Sequence, residues 1–287
     1  MKTAVLTDTN SGLTVEEGKA LGIYVLPMPV IMEDHCYYEG VDITNRQLYD
    51  ALLQDRNVSS SQPSPGDVAQ LWEKAFRDGY EELVHIPMSS GLSGSCHCAM
   101  QQAGEYGGRV HVVDNHRISI TLKESVLEAK RLAEQGSSAA GIKEYLEKTA
   151  YDASIYVTVD SLKYLKKSGR ITASAAAMAN ILGIKPVLSL QGEKLDLFAK
   201  VRGFKQSEKK MIEALKSDIE TRFSGIPRER LRIGTAGTFE TPEDAAQWNA
   251  EVQAAFPEFS VSYTPLSCSI ACHVGVGAAG IGISVIS

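Results

Sequence analysis

The stretch ELVHIPMSSGLSGS, residues 82–95, passes from a short apolar run into a turn built of serine and glycine. The run through Ile86 is too short for a helix and reads as a buried strand. A helix is expected from about Ser95, which makes the stretch a strand–turn–helix unit. Working outward, the same alternation repeats. Residues 3–7 form a short apolar strand ending at Asp8, and residues 15–21 look helical. Residues 24–32 are strand-like, with Pro27 and Pro29 making the strand an edge or irregular one. Helical spacing returns at 44–54. Ser64-Pro65-Gly66-Asp67 is a strong helix start, with an N-cap serine, proline at the first position and an acid in the first turn. That helix should run to about Arg77. Residues 111–113 form a third strand, and helices follow at 118–134 and 139–149. Strands alternating with helices predict an α/β fold with a largely parallel sheet covered by helices on both faces. In such sheets ligands bind beyond the carboxyl ends of the strands.

The second half is more mixed. Residues 155–159 are a strand, and 162–167 and 173–182 are helical. Residues 186–190 and 194–198 flank Gln191-Gly192-Glu193, which reads as a hairpin with a glycine turn. A long helix covers 206–223 and a strand 232–236. Thr241-Pro242-Glu243-Asp244 caps another helix to about 255, and strands at 261–264 and 281–286 finish the sheet. Two α/β domains are expected, 1–155 and 156–287, although no Pro/Gly/Ser-rich linker marks the boundary.

The chain has 287 residues, 44% of them hydrophobic and 22% charged, enough for a core without disulfide or metal staples. A net charge of -6 disfavours nucleic acid, which wants a clustered basic surface. Local basic stretches at 163–170 and 200–210 suit a solvated surface, a small anion or an acidic partner. The start MKTAVLTDTN has no apolar signal region, and no apolar stretch is long enough to span a bilayer. The expectation is a cytoplasmic protein without stable membrane insertion. Cys96-His97-Cys98 and Cys268 to His273 lack zinc spacing, so the five cysteines are expected to be free thiols and no metal is expected.

Two readings compete for Ser93. Gly91-Leu92-Ser93-Gly94-Ser95 falls one residue short of the G-x-S-x-G nucleophile elbow of serine hydrolases. His273 lies downstream, and Asp160 or Asp196 could supply the acid. Against a hydrolase, Ser95 occupies a position that wants glycine, and no H-G-G-G-type oxyanion loop occurs. The alternative starts from a second cluster, Ser59-Ser60-Ser61-Gln62-Pro63-Ser64, which alone would be an ordinary polar loop. Together they are two hydroxyl-rich loops, each before a helix. Helix N-termini favour anions, and hydroxyls add donors without burying a full positive charge, which suits one carboxylate. The G-x-G-x-x-G string at Gly275–Gly280 leaves no room for a dinucleotide unit before Ser287. Its glycines instead bring backbone close to something near His273.

The chain resembles the DegV family. The resemblance rests on seven stretches in order: Leu6 to Ser11, Ser60 to Ser64, Ser89 to Ser95, Leu162 to Ile171, Lys185-Pro186-Val187, Lys200-Val201-Arg202-Gly203, and His273 to Gly277. It implies two α/β domains with a long-chain fatty acid in a tunnel between them. It also implies a carboxylate held by Ser60 or Ser61 and by Ser93, with Arg202 and His273 near the head group. The family includes the binding subunit of bacterial fatty acid kinase, so the resemblance implies a non-catalytic carrier in phospholipid metabolism. Such a carrier presents its ligand to a separate ATP-binding kinase subunit, with Lys166 to Arg170 on the partner surface and no cofactor beyond the fatty acid. Three residues depart from the family pattern: Ser60 for threonine, Ser168 for glycine and Val276 for proline. The roles make physical sense. A chain of about sixteen carbons gains roughly 0.8 kcal/mol per buried methylene, on the order of ten kcal/mol gross, so the tail supplies affinity and the head group orientation. Arg202 could equally be a surface ion pair, and His273 a satisfied core histidine. The other readings are a serine hydrolase using Ser93 and His273, and a lipid-sensing regulatory protein.

Overall fold

The fold is seen in a computed structural model that describes residues 2–180, 183–191 and 193–287. The first half builds β1 (Thr3–Asp8), α1 (Val15–Leu21), β2 (Tyr24–Leu26), β3 (Pro29–Met32), β4 (His35–Tyr38), α2 (Asn45–Leu53) and β5 (Val58–Ser60). It continues through α3 (Pro65–Arg77), β6 (Glu82–Ile86), α4 (Ser95–Ala103), β7 (Val110–Val112), α5 (Ser119–Glu134) and α6 (Ala139–Lys148). The strands β2-β1-β6-β7 form one sheet in that order, all parallel. Alternate residues of its strands face opposite helix layers. Leu6 and Leu83 pack with Val68 and Trp72 of α3 and Ala99 of α4. Val5 and Val84 pack with Leu122 and Val126 of α5 and Ile142 of α6. Both faces are therefore dry, which is why these strands read as continuous apolar runs.

The single strand expected at 24–32 is two. Pro27 and Met28 separate β2, in the parallel sheet, from β3, which is the centre of a small antiparallel sheet of order β4-β3-β5. A proline has no N–H to continue a ladder, so the chain changes sheets there.

The second half builds β8 (Ala153–Thr158), α7 (Lys163–Ser168), α8 (Ala173–Ala176), β9 (Ile184–Leu190), β10 (Leu195–Arg202), α9 (Phe204–Glu220) and β11 (Leu231–Gly237). It ends with α10 (Pro242–Ala255), β12 (Ser262–Pro265), α11 (Cys268–Val274) and β13 (Ala279–Val285). Its six-stranded sheet runs β10-β9-β8-β13-β11-β12, antiparallel except for the β11–β12 pair. Helices α9 and α10 cover one face through Met211, Leu215, Trp248 and Val252. The other face meets Ile120 of α5, Leu165 of α7 and Ile270 and Val274 of α11. Helix α5 thus packs on both sheets. It can do so because Gly234 and Gly282 leave room for Ile120: a Cβ on Gly282 would lie 2.8 Å from its side chain.

Three expectations shift. Residue 155 falls inside β8, so the crossing between the two sheets is at residues 149–152. The helix expected at 173–182 ends as α8 at Ala176 and passes into a 3-10 turn, Ala177–Asn180, while residues 181 and 182 and the hairpin's central Gly192 lie outside the described residues. Helix α11 was not anticipated. Six of its seven residues are buried, so no polar face marks it as amphipathic.

Candidate functional site

Strands β1 and β6 are neighbours whose other partners, β2 and β7, lie on opposite sides. The order therefore turns beyond their carboxyl ends, where open α/β sheets hold ligands. A cavity of about 150 Å³ opens in that region, lined by the loop after β6, the end of β5, and helices α7 and α11. It has two chemistries. Ser60, Ser61, Ser93, Arg170, Ser269 and His273 line it with polar groups, and Ile118, Leu165, Leu195, Ile270 and Val274 with apolar ones.

Each polar group is placed by local structure. Ser60 ends β5, whose pairing with β3 fixes it opposite Val30. Ser93 closes a turn in which its N–H donates to the Ser89 carbonyl at 3.2 Å. The Ser93 Oγ accepts from the Ser95 N–H at 3.2 Å, which leaves its own proton to donate elsewhere. The two serine loops touch: a Cβ on Gly94 would lie 2.4 Å from Gln62 Oε1. Gly91 in turn lies against the backbone of Glu193 in the β9–β10 turn, where a Cβ would come within 2.3 Å of the Glu193 Cα. The two helices behind the loops differ. Helix α3 closes its first turn with its own Ser64–Asp67 capping box, whereas the N-cap of α4 is Gly94, which has no side chain to cap it.

His273 sits in the last turn of α11, with Nε2 2.7 Å from Ser60 Oγ. Burial, and then the nearby Arg170 charge, push its pKa down to about 4, so the ring is neutral near pH 7. Its Nδ1 is buried without a partner among the described residues. Arg170 Nε donates to the Leu92 carbonyl at 3.3 Å, so a cation of the second half holds the serine loop of the first. A hydrolase triad is not assembled. The hydroxyl bonded to His273 belongs to Ser60. Asp160 pairs with Lys185 at 2.7 Å, and Asp196 accepts from Thr172 and Ser174.

Arg202 does not line this cavity. It is exposed at the far end of β10, seven residues and about 20 Å of extended chain from Leu195 at the cavity wall. Ser61 lines the cavity at its exposed rim. Gly275 and Gly277 end α11 with positive φ, and a Cβ on Gly275 would strike the Tyr164 ring at 2.7 Å. Gly275 thus brings backbone against α7, and Gly277 lies beside Asp160. Among the described residues no group of His, Cys, Asp and Glu could hold a metal ion. Nor is any helix long and apolar enough to cross a membrane.

Behind the cavity lies a buried polar network absent from the sequence reading. Asp8 accepts from the N–H groups of Asn10 and Met88, at 2.9 and 3.0 Å. Asn10 Oδ1 accepts from the hydroxyls of Ser267, at 2.7 Å, and Ser269. Glu39 accepts from the Thr9 hydroxyl at 2.8 Å and the Cys268 N–H at 2.6 Å. Burial raises the pKa of Asp8 to about 6 and that of Glu39 to about 7. These contacts seat the start of α11, the helix that carries Ser269 and His273, on the end of β1. The one sequence signal was the polar run Asp8-Thr9-Asn10-Ser11 directly after an apolar strand.

A parallel and a mainly antiparallel sheet sharing a helix, with a cavity lined by hydroxyls and apolar side chains at their joint, define a class of two-sheet α/β protein. The chain belongs to the DegV family: the family model, described as "Uncharacterised protein, DegV family", matches residues 2–285. A DegV domain-containing protein of Deinococcus radiodurans is 31% identical over 288 residues, covering 100% of both chains. Among solved structures, a DegV family protein from Thermus thermophilus described by its fatty acid binding is similar with a TM-score of 0.88 and 27% identity, covering 100% of both chains. DegV from Bacillus subtilis, described as a fatty acid binding protein, is similar with a TM-score of 0.84 and 26% identity over 99% of each chain.

Proposed function

We propose that this chain binds one long-chain fatty acid, its carboxylate held by Ser93 and the Ser60–Ser61 loop beside His273 and Arg170. The observation that carries the reading is one cavity lined both by hydroxyl groups and by apolar side chains. Ser93 has a proton to donate, and neutral His273 can donate or accept through Ser60. The nearby guanidinium of Arg170 supplies positive potential while its Nε is occupied by the Leu92 carbonyl. Hydroxyl donors orient a carboxylate without the strong ionic clamp that would oppose its release. The fatty acid binding of the Thermus and Bacillus relatives supports the same ligand class.

The chain is not catalytic alone in this reading. It presents the carboxylate to a separate ATP-binding kinase subunit that forms an acyl phosphate. Exposed Lys166 and Lys167 lie beside the cavity residue Arg170 and suit an acidic partner surface. This part rests on the motif resemblance. The serine hydrolase reading lacks, among the described residues, a base hydrogen-bonded to the Ser93 hydroxyl.

Mass spectrometry of organic extracts of the purified protein tests the ligand. A fatty acid near one per chain is the expected result. No fatty acid, together with Ser93-dependent cleavage of an ester, would overturn the carrier. Mixing the loaded protein with ATP and a fatty acid kinase subunit should yield acyl phosphate, and no product there would remove the kinase role.

A further inference from the structure

The segment from Asp114 to Ser119 joins β7 to α5 and is held in a costly shape. His116 and Ser119 adopt φ of 55° and 54°, a left-handed conformation that side chains other than glycine resist. Arg117 between them is 5% exposed. Its guanidinium bonds to no carboxylate among the described residues. Instead Nε donates to the Ala150 carbonyl at 3.1 Å, one terminal nitrogen to the Thr149 carbonyl at 2.5 Å and the other to Ser125 Oγ at 3.1 Å. Thr149 is the C-cap of α6, and residues 149–152 are the crossing between the two sheets. Carbonyls at a helix end have no partner within the helix, and the planar fork of arginine serves two at once.

The backbone of the same residue faces the other way. The Arg117 carbonyl accepts from the Ser89 N–H at 2.9 Å, and Asp114 Oδ1 accepts from the Ser90 N–H at 3.3 Å. The Ser89 carbonyl accepts from the Ser93 N–H, and Ile118, next in sequence, lines the cavity. A continuous set of bonds therefore runs from the crossing through Arg117 to Ser93.

We propose that Arg117 is a positioning residue for the carboxylate site, its buried guanidinium tying the loop that carries Ser93 to the crossing between the two sheets. It touches no ligand. It fixes where the root of the turn stands, so the Ser93 hydroxyl meets the carboxylate only when the two halves are correctly joined. This rests on the carboxylate reading of Ser93.

The test titrates delipidated protein with the fluorescent fatty acid cis-parinaric acid and follows amide hydrogen exchange over residues 88–94. Arg117→Met keeps the apolar volume and loses the fork. It should weaken binding about tenfold, the scale of a hydrogen bond to a charged group, and speed exchange over 88–94. Arg117→Lys, with a point charge in place of the fork, should fall between it and the parent. Should Arg117→Met fail to fold, Asp114→Ala probes the same root from the loop side and should show the same two changes. A folded Arg117→Met protein, or failing that a folded Asp114→Ala protein, with parental affinity and parental exchange over 88–94 would overturn the proposal. If the parent protein itself binds no cis-parinaric acid, the fatty acid reading fails. The exchange measurement still judges the tether.

Discussion

Ser93 is set apart from a nucleophile by what its oxygen already does: it accepts from the Ser95 N–H, while the hydroxyl bonded to His273 is that of Ser60. Replacing it tests the donor role. Ser93→Ala should raise the fatty acid dissociation constant roughly 10- to 150-fold, the range for one lost hydrogen bond to a charged group. Its unfolding midpoint without ligand should stay near the parent's. Unchanged affinity by titration would remove Ser93 from the site. The sequence displayed Ser60, Ser61, Ser93 and His273 because serine and glycine cluster where an α/β sheet turns over. It did not display Glu39 or Arg117. Each is a single polar letter, and its burial depends on which distant element covers it. Arg202 shows the opposite limit: a motif match says nothing of exposure, and the end of an edge strand faces water.

Among elements, those visible in the sequence were the ones with a period or a cap. Strands β1 and β6 were short, continuously apolar runs, and α3 and α10 announced themselves with Ser64-Pro65 and Thr241-Pro242. The small sheet escaped notice because its strands have three or four residues and His35–Tyr38 is largely open to solvent. Helix α11 was hidden by its uniform burial. The loop after β6 offers a test at this scale. A Cβ on Gly91 would come within 2.3 Å of the Glu193 Cα, so backbone must move, whereas a Cβ on Gly94 meets only the end of the Gln62 side chain. Gly91→Ala should therefore cost about 1–3 kcal/mol and weaken ligand binding, with Gly94→Ala distinctly milder. Chemical denaturation of both variants checks this, and equal losses would contradict the packing argument.

Across the whole molecule, buried titratable groups pull stability in opposite directions. Trp72 donates to His85 Nδ1 at 3.2 Å, and burial lowers the pKa of His85 from 6.5 to about 4. His273 shifts the same way. Below pH 6.5 the unfolded chain takes up protons that the folded chain refuses, so this part of the stability is lost as pH falls from about 6.5 to about 4. Asp8, raised from 3.8 to about 6, and Glu39, raised from 4.5 to about 7, do the reverse. The folded chain keeps protons that the unfolded chain releases, so their share is lost as pH rises through those values. The two pairs offset one another between about pH 4 and 6, and stability there should change little. Asp8→Asn removes one opposing group. Its stability should fall with acid more steeply than the parent's, by up to about 1.4 kcal/mol per pH unit. Urea unfolding at a series of pH values measures both slopes, and parallel slopes would refute the assignment.

The order of the six-stranded sheet has a consequence for the chain as it leaves the ribosome. Its central strand, β13, stands between β8 and β11 yet is the latest of its strands in sequence. The parallel sheet and the helices through Lys148 can assemble early, since domains fold as they emerge. The second sheet stays split in two until residue 285 is free, and α11, which brings His273 to Ser60, lies only a few residues before β13. A nascent chain therefore has the serine loops long before it has a cavity. The cavity is complete only when synthesis has reached β13.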